Sequence, residues 1–279
     1  MFSIVIPAHN ESSVIGRCLA ALLDGLDDSE FEIIVVCNGC KDDTAAIARG
    51  YVGVKVVELE EASKIAALNA GDDEATGFPR AYIDADIQLK GSDLLVALKQ
   101  FEQPGIEIVA PRLHVNLTRS NPLVKAFYRI WMGLPYFADG QMVGSGVFIL
   151  SENGRNRFKT FPKIIADDGY VRALFKRDER LTAQDCRFTV FAPQTVADLI
   201  KIKSRVRFGN MELNMKFPEL TVGSENTPRA LVDMVLKRPW LAPAALIYVY
   251  VQWQTKRNAA HRMAIADFST WERDNSSRV

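Results

Sequence analysis

The sequence predicts an α/β fold, a sandwich of helices around a mixed, mostly parallel sheet. Short runs rich in β-branched residues occur at 2–6, 32–37, 54–59 and 80–84, and such runs are typical of strands. The segments between them repeat apolar residues with a helical period. Because strands that alternate with helices form parallel sheets covered on both faces, we expect a layered α/β/α arrangement.

Helices are predicted in the segments that connect these strands. Apolar residues over 14–23 recur at the offsets of one helical face, which is the pattern of a helix with one buried side. Similar patterns predict helices near 43–50, 63–75 and 92–102. These helices are the elements that we expect to cover the sheet.

After residue 105 the alternation becomes less regular. Strand-like runs occur at 106–110 and 147–150, an aromatic stretch rich in Pro and Gly at 121–146, a helical pattern near 167–177 and alternation over 182–191. We predict one continuous domain over 1–224, with halves of about 1–110 and 111–224, and a helical C-terminal appendage over 225–279.

The composition is that of a globular enzyme. Of 279 residues, 48% are hydrophobic and 24% are charged, which excludes a disordered or fibrous chain. The chain enters a strand-like run directly at Phe2, so we expect no signal peptide ahead of it. We therefore expect a cytoplasmic protein whose cysteines, Cys18, Cys37, Cys40 and Cys186, are reduced thiols.

The net charge is zero, but the two ends of the chain differ in charge. After residue 200 there are 13 Lys and Arg against 7 Asp and Glu, and before it there are 21 against 27. An acidic body with a basic end suits a metal-using site joined to a region that meets phosphates or an anionic membrane. Scattered solvated charges are the alternative. We expect no nucleic acid among the partners.

Polar residues gather at three predicted strand ends. They lie at 7–11 (PAHNE), 38–43 (NGCKDD) and 84–86 (DAD). Ligands of open α/β sheets bind beyond the carboxyl ends of the strands. We therefore expect a nucleotide and a metal to be held at this edge of the sheet.

Asp84 and Asp86 are the residues of this edge that best suit a metal. Residues i and i+2 at a strand end project from the same face, so both carboxylates can reach one cation. Hard oxygen ligands favour Mg²⁺ or Mn²⁺, which in turn binds substrate phosphates. A turn or a helix cap after the strand is the alternative.

Five motifs in this chain resemble those of the family 2 glycosyltransferases, whose fold is called GT-A. They are SIVIPAHNE (3–11), NGCKDDT (38–44), KIAALNAG (64–71), YIDAD (82–86) and ADDGY (166–170). The resemblance covers about residues 1–210. It implies a GT-A nucleotide-sugar-binding sandwich and the metal-dependent transfer of a sugar to an acceptor hydroxyl.

The resemblance also implies which residues bind the nucleotide-sugar donor. They are Pro7, Ala8, His9, Glu11, Asn38, Lys64, Asp84, Ala85, Asp86, Arg205 and Arg207. Asp84 would face the ribose and donor sugar, and Asp86 would hold the metal, Mn²⁺ or Mg²⁺, with Asp84 as a second ligand. Asn38 stands where an aspartate that hydrogen-bonds the base is usual. A UDP-sugar is favoured.

We expect Arg205 and Arg207 to reach the diphosphate from a mobile loop, because guanidinium groups match phosphate oxygens. Lys64 belongs to a helix that would help to close the donor site. For all three cations, solvated surface charge is the alternative.

The motif ADDGY implies the general base. Asp168 matches the base of the family, and Asp167 stands in the place of a glutamate. An acceptor hydroxyl needs a positioned carboxylate to take its proton, and the resemblance implies inversion at the sugar. Capping of a helix is the alternative for both residues.

The acceptor is expected at the aromatic stretch and the glycines that follow it. The residues concerned are Trp131, Gly144, Ser145 and Gly146. Aromatic faces suit sugar rings and lipid-linked acceptors, and core packing is the alternative. We expect a sugar or lipid-linked acceptor, in the synthesis of a cell-surface polysaccharide or glycolipid.

An uncharged segment at 240–255 lies between Lys237-Arg238 and Lys256-Arg257. Its 16 residues are fewer than the roughly 20 that a spanning helix needs. Tyrosine and tryptophan with basic flanks suit a helix in the membrane interface. We predict peripheral contact with the cytoplasmic face of a membrane through 237–257, with a buried or dimer-forming helix as the alternative.

Two other functions are open. Cys37 and Cys40 follow a strand and precede a helix, which would suit a thiol-disulfide oxidoreductase. A nucleotidyltransferase, or a module that only binds nucleotide sugars, would also place carboxylates at strand ends. The sequence does not determine the oligomeric state.

Overall fold

The computed structural model describes residues 1–26, 31–138, 145–220 and 228–264. Its strands are β1 (Phe2–Ala8), β2 (Phe31–Asn38), β3 (Val54–Leu59), β4 (Arg80–Ile83), β5 (Gln88–Leu89), β6 (Ile108–Asn116), β7 (Val147–Leu150) and β8 (Arg180–Phe191). Its α-helices are α1 (Ile15–Leu23), α2 (Thr44–Arg49), α3 (Lys64–Glu74), α4 (Gly91–Leu98), α5 (Pro122–Trp131), α6 (Pro135–Ala138), α7 (Glu152–Arg155), α8 (Asp167–Ala173), α9 (Val196–Lys216), α10 (Pro228–Lys237) and α11 (Ala242–Ala264).

The strands form one mixed sheet in the order β3-β2-β1-β4-β7-β6-β8-β5. The first four strands are parallel, whereas β7 is antiparallel to β4 and β6, and β5 is antiparallel to β8. The predicted α/β fold with a mixed sheet is confirmed. In the parallel block the ends of β1, β2 and β4 point to one edge, where the sequence predicts the site.

Helix α3 lies unusually close to the central strands. A Cβ atom at Gly71 would lie 3.0 Å from Val36 Cγ2 and closer still to Val5 Cγ1. Only glycine leaves enough room for this packing. The glycine of the KIAALNAG motif therefore has a structural purpose, since it allows α3 to pack against β1 and β2.

The chain forms two compact units that interleave along the sequence. The sheet unit comprises 1–114, 142–163 and 174–190, and the helical unit comprises 115–141, 164–173 and 191–279. The predicted boundary between 224 and 225 lies outside the described residues. The predicted halves and appendage stay a prediction.

One expectation about the helical unit is wrong. Arg205 and Arg207 lie within the 21-residue helix α9 and not on a loop. Thr195 caps this helix, with its Oγ1 3.2 Å from the amide of Asp198. Gly209 within this helix allows close packing, because a Cβ there would lie 2.9 Å from Ile165 Cγ2.

The last described helix, α11, packs against α5 and α9. Within the described ranges, no helix combines the length and hydropathy that a membrane span requires.

Candidate functional site

The loops that follow β1 and β2 are held together by hydrogen bonds. Asn38 Nδ2 donates to the carbonyl oxygen of Ala8 over 2.9 Å. The amide of Glu11 donates to Thr44 Oγ1 over 2.7 Å, and the amide of Ser12 donates to Asp42 Oδ2 over 3.1 Å. These bonds fix the backbone of the PAHNE motif before any ligand binds.

His9 is also held in one orientation. Its Nδ1 lies 2.6 Å from the carbonyl oxygen of Asn38, and its Nε2 lies 3.1 Å from Asn10 Nδ2. Since a carbonyl only accepts, Nδ1 carries the hydrogen, and Nε2 accepts from the Asn10 amide. The Asn10 amide is oriented in turn, because its Oδ1 accepts from the amide of Lys41 over 2.7 Å. A neutral imidazole satisfies the whole chain of bonds.

Asn38 is buried, with 2% of its surface exposed. Its amide group supports the end of β1, as described above, and an aspartate could not make that bond because a carboxylate has no N–H. From the sequence, Asn38 is predicted to help select the base of the nucleotide. That role stays a prediction, and the structure adds a second reason for an amide at this position.

Cys37 and Cys40 lack the properties of a redox pair. Cys37 is fully buried in β2, and this burial raises the pKa of its thiol to about 12, with a further increase from the neighbouring Cys40. Cys40 Sγ lies 3.4 Å from the carbonyl oxygen of Ala8. A redox nucleophile needs a lowered thiol pKa, so the geometry argues against the oxidoreductase alternative.

The DAD segment forms a turn directly after β4. The amide of Asp84 donates to the carbonyl oxygen of Gly146 over 2.8 Å. The amide of Ile87 donates to the carbonyl oxygen of Asp84 over 3.1 Å. Ala85 is buried, whereas Asp84 and Asp86 are partly exposed. The two carboxylates therefore remain accessible while the residue between them packs inward.

Ser145 and Gly146 shape the backbone beside Asp84. Both have a left-handed φ, 67° and 94°, and a Cβ on Gly146 would lie 3.1 Å from Asp84 Oδ2. Glycine thus allows the start of β7 to approach the carboxylate. Gly144, predicted with them to bind the acceptor, lies outside the described residues.

Lys64 reaches the first carboxylate of the DAD segment. It is the first residue of α3, and its Nζ lies 2.8 Å from Asp84 Oδ1. Both side chains are partly exposed. The sequence placed Lys64 and Asp84 in separate motifs, and the fold brings them together as an ion pair.

The pKa of the Cys18 thiol, on α1, is affected by several of these charges. Its pKa is raised to about 12, chiefly by burial, and the carboxylates of Asp86, Asp84 and Glu11 raise it further while Arg17 lowers it. The carboxylates of Asp84, Asp86 and Glu11 are therefore near enough to Cys18 to raise the pKa of its thiol. The sheet unit has an acidic region at the edge that the sequence indicated.

The residues present suit a divalent cation that is shared with a substrate. No cluster of three or more His, Cys, Asp or Glu side chains that could hold a metal occurs in the described part of the chain. Mg²⁺ and Mn²⁺ commonly bind through one or two carboxylates plus substrate phosphates and water. Asp86 and Asp84 could supply that number, and a nucleotide diphosphate would supply the rest.

A buried charge cluster, which sequence reasoning missed, fixes β4 to α3. Asp72 accepts hydrogen bonds from Arg80 Nη1, from the hydroxyl of Tyr82 and from both Nε and Nη2 of Arg155. Burial alone would raise the pKa of Asp72, but the hydrogen bonds from Arg155, Tyr82 and Arg80 outweigh it and lower the pKa. The cluster holds the strand that carries Asp84.

Asn69 also serves the scaffold. Its Nδ2 donates to the carbonyl oxygen of Phe161 over 3.2 Å, and its Oδ1 accepts from the amide of Phe161 over 2.7 Å. An acid on the apolar face of α3, four residues after Leu68 and seven after Ile65, was the signal in the sequence that could have identified Asp72.

In the helical unit, Asp167 and Asp168 form the first turn of α8. Asp167 is buried and Asp168 is partly exposed, with Asp168 Oδ1 accepting from the amide of Gly169 over 2.7 Å. Glu212 on α9 holds the preceding loop, since its Oε2 accepts from the amide of Ile165 over 2.9 Å. Of the two acids, Asp168 is the more accessible to a substrate.

The aromatic stretch divides into core and surface. Phe127 and Tyr128 are buried, and Phe127 stacks on Tyr248 of α11 at 5.2 Å between ring centroids. Trp131 is half-buried, and Lys203 Nζ lies 3.5 Å from its ring centroid. Burial lowers the pKa of Lys203 to about 7. The acceptor role of Trp131 stays a prediction, and the amino group of Lys203 lies beside its ring.

Comparison with known proteins identifies the family. The model of glycosyl transferase family 2 matches residues 3–161. A dolichyl-phosphate β-glucosyltransferase from Drosophila melanogaster is 36% identical over 115 residues, which are 35% of this chain and 35% of that protein. The chain spans about a third of the length of the first curated relatives it matches.

Solved structures share the fold. A mannosyltransferase from Pyrobaculum calidifontis, in complex with GDP-mannose and Mn²⁺, has a TM-score of 0.61 at 19% identity over 97% of this chain and 76% of that one. Glucosyl-3-phosphoglycerate synthase from Mycobacterium tuberculosis, with Mn²⁺ and UDP-glucose, has a TM-score of 0.53 at 19% identity over 77% and 78% of the two chains. At 19% identity, these two structures show that the fold is shared and show nothing about activity.

Proposed function

Because the chain belongs to glycosyl transferase family 2, we propose that it transfers a sugar from a nucleotide-sugar donor to an acceptor hydroxyl. The observation that carries the proposal is the pair of accessible carboxylates, Asp84 and Asp86, at the carboxyl end of β4. Lys64 pairs with the first of them. Such an arrangement suits a diphosphate bound through a cation.

The donor side uses the sheet unit. We assign the nucleoside to the ends of β1 and β2, at Pro7, Ala8, His9, Glu11 and Asn38. The metal, Mn²⁺ or Mg²⁺, would be held by Asp86 with Asp84, and when bound it would neutralise charge on the leaving diphosphate. Both fold neighbours described above were solved with Mn²⁺, which supports this choice.

A UDP-sugar is the favoured donor. The two neighbours carry different nucleotides, GDP-mannose and UDP-glucose, so the fold is compatible with either base. Arg205 and Arg207, on α9, are proposed to contact the diphosphate as side chains of a rigid helix.

Asp168 is proposed as the general base. Its carboxylate takes the proton of the acceptor hydroxyl while the acceptor oxygen bonds to the anomeric carbon of the sugar. The bond from that carbon to the diphosphate oxygen breaks on the opposite face, so the configuration inverts. Asp167, which is buried, would position the turn.

The acceptor is proposed to be a sugar or a lipid-linked molecule, bound at Trp131, Gly144, Ser145 and Gly146. One relative acts on dolichyl phosphate by its name, which supports a lipid-linked acceptor in cell-surface polysaccharide or glycolipid synthesis. The protein would then act in the cytoplasm, at the inner face of a membrane.

Donor binding is tested by a thermal-shift screen of nucleotide sugars with Mn²⁺ present. A donor that binds only the folded state raises the melting temperature, and we expect the largest rise with a UDP-sugar. Absence of any shift across UDP, GDP and dTDP sugars would contradict the proposal.

The base is tested with Asp168→Asn, which keeps an oxygen to accept from the Gly169 amide but cannot take a proton. We expect sugar transfer to fall by about 10²- to 10⁴-fold while the donor-induced thermal shift is retained. Asp178→Asn, at an exposed turn, is the matched control. Unchanged transfer by Asp168→Asn would refute the assignment.

A further inference from the structure

Helix α11 is apolar on two opposite faces, and only one of them is covered. Its buried face includes Ala245, Tyr248 and Val251, and it packs against α5 and α9. The sequence left open whether this segment is a core helix or a membrane-contacting one. The inner face satisfies the first alternative, and the outer face needs a separate explanation.

The outer face carries large apolar side chains in solvent. Leu246, Val249, Tyr250 and Trp253 follow the i, i+3, i+4, i+7 spacing of one helical stripe, and Leu246 and Trp253 are 72% and 55% exposed. From Leu246 to Trp253 the stripe is about 10 Å long. Contiguous exposed apolar surface of this kind marks an interaction site.

The chain just before α11 carries two further exposed apolar side chains. Trp240 is 72% exposed, and Leu236 at the end of α10 is 73% exposed. Trp240 also lines a cavity of about 310 Å³ together with Arg129 and Arg238. Two guanidinium groups beside an exposed indole can bind a phosphate while the ring lies in a less polar layer.

The charge of the region favours an anionic partner. Over 228–264 the chain has six Lys and Arg but a single acid, Asp233, and α11 has no acidic residue. Lys256 and Arg257 follow the stripe by one turn, and the Arg257 guanidinium lies 6.0 Å from the Trp253 ring centroid. A second protein copy would bring the same positive charge to the interface, whereas an anionic bilayer would neutralise it.

We propose that the outer face of α11, with Trp240 and Leu236, inserts into the headgroup layer of an anionic membrane. We name this set of residues the membrane face. The helix lies in the plane of the membrane because its inner face is already packed on the protein. Lys256, Arg257 and the pair Arg129 and Arg238 contact lipid phosphates at its edges.

The surface is independent of catalysis, so its test is separate from that of sugar transfer. The full chain is floated with vesicles of phosphatidylcholine alone and of phosphatidylcholine with phosphatidylglycerol. We expect binding to the vesicles that contain phosphatidylglycerol and loss of binding as salt is raised, because salt screens the charges. Equal or absent binding to the two kinds of vesicle would overturn the proposal.

Variants locate the surface. Leu246→Glu with Trp253→Glu should reduce binding by roughly tenfold or more, since the apolar anchors are lost. Lys256→Gln with Arg257→Gln should weaken binding roughly fivefold per residue, because each substitution removes one positive charge. The matched control is Val52→Glu, an exposed valine of the sheet unit, which should bind as the parent does. Thermal melts should be unchanged because the substituted side chains are exposed.

The rival occupant is a second copy of the chain. Light scattering on the purified protein without lipid should give a monomer mass. A dimer that Leu246→Glu converts to a monomer would overturn the proposal. Transfer to a water-soluble acceptor should be unaffected by the Leu246→Glu and Trp253→Glu changes. A chain that binds vesicles but transfers no sugar would leave the membrane face standing and refute the proposed function.

Discussion

Helix α3 and strand β4 are joined by charges at both of their ends, and the two contacts differ in kind. At one end, Asp72 and Arg80 are buried and share their hydrogen bonds with Tyr82 and Arg155. At the other end, Lys64 and Asp84 form one contact of 2.8 Å and remain partly exposed.

The difference separates structure from function on the same pair of elements. A buried carboxylate must have its lone pairs satisfied by the protein, because desolvation is otherwise too costly. Asp72 therefore has no capacity left for a ligand. An exposed ion pair costs little to open, so Asp84 can exchange its partner when a substrate arrives. The fold fixes the strand at its buried end and leaves the other end able to react.

The largest expected effect is a loss of sugar transfer, caused by a substitution beside the exposed end. Asp86→Asn should lower sugar transfer by about 10²-fold or more, since a metal ligand is lost, with little change in melting temperature. Transfer is measured with Mn²⁺ over a range of concentrations. Asp185→Asn, on an exposed position of β8, is the control. Full activity in Asp86→Asn would contradict the assignment of the metal to this strand end.

The next largest effect is a loss of stability, caused by a substitution at the buried end. Asp72→Asn should lower the free energy of unfolding by about 3–5 kcal/mol, because Arg80 and Arg155 are left buried without their counter-charge. Denaturant unfolding of the variant measures this. Asp73→Asn is an unusually close control, since Asp73 is the next residue of α3 and is exposed. Equal losses in the two variants would contradict the distinction between buried and exposed ends.

The same variant tests the direction of a pKa shift. The pKa of Asp72 is lowered in the folded protein, so its contribution is present above the unfolded pKa of about 3.9. That contribution is lost as the pH falls through the folded-state pKa. The stability difference between the parent and Asp72→Asn should therefore shrink in acid. A difference that grows as the pH falls would show that the sign is wrong.

A smaller effect is expected at the end of β1. Asn38→Asp should cost about 1–3 kcal/mol of unfolding free energy, because a buried carboxylate replaces the donor to the Ala8 carbonyl. Asn38→Ala loses the donor without adding a charge and should cost less. Nucleotide preference is measured in parallel by thermal shift. A stable Asn38→Asp protein would show that the amide is not needed for the scaffold.

The smallest expected effect on stability is at Lys64. Lys64→Met should change the free energy of unfolding by about 1 kcal/mol or less, since the ion pair is partly exposed. Its effect should fall on donor binding, which isothermal titration with the best donor would report. A large loss of stability in Lys64→Met would show that the Lys64–Asp84 contact is structural, as the Asp72–Arg80 contact is.

Much of the sheet unit could be predicted from the sequence. The runs at 54–59 and 147–150 coincide with β3 and β7, because hydrophobic period and β-branched residues are local signals. The helical unit was harder to predict. Arg205 and Arg207 were expected on a loop, but burial of Leu199, Phe208 and Leu213 stabilises helix α9, and that burial depends on distant partners.

The candidate site divides in the same way. Strand-end chemistry was visible in the sequence as PAHNE, NGC and DAD, because a parallel sheet brings strand ends to one edge. The buried role of Asn38 and the pairing of Lys64 with Asp84 were not visible. Lys203 beside Trp131 was missed as well, since nothing in a sequence reports which cation lies over which ring.

The sequence by itself determined the alternation of β1 to β4 with their helices, the polar strand ends and the family. These depend on residues that are neighbours in the chain or on motifs of a few residues. The tertiary structure decided which charges are buried, as Asp72 is, and which remain accessible, as Asp84 and Asp86 are. It also decided that α11 has a covered and an uncovered apolar face. Burial depends on contacts between residues far apart in sequence, and only the packed fold brings those residues together.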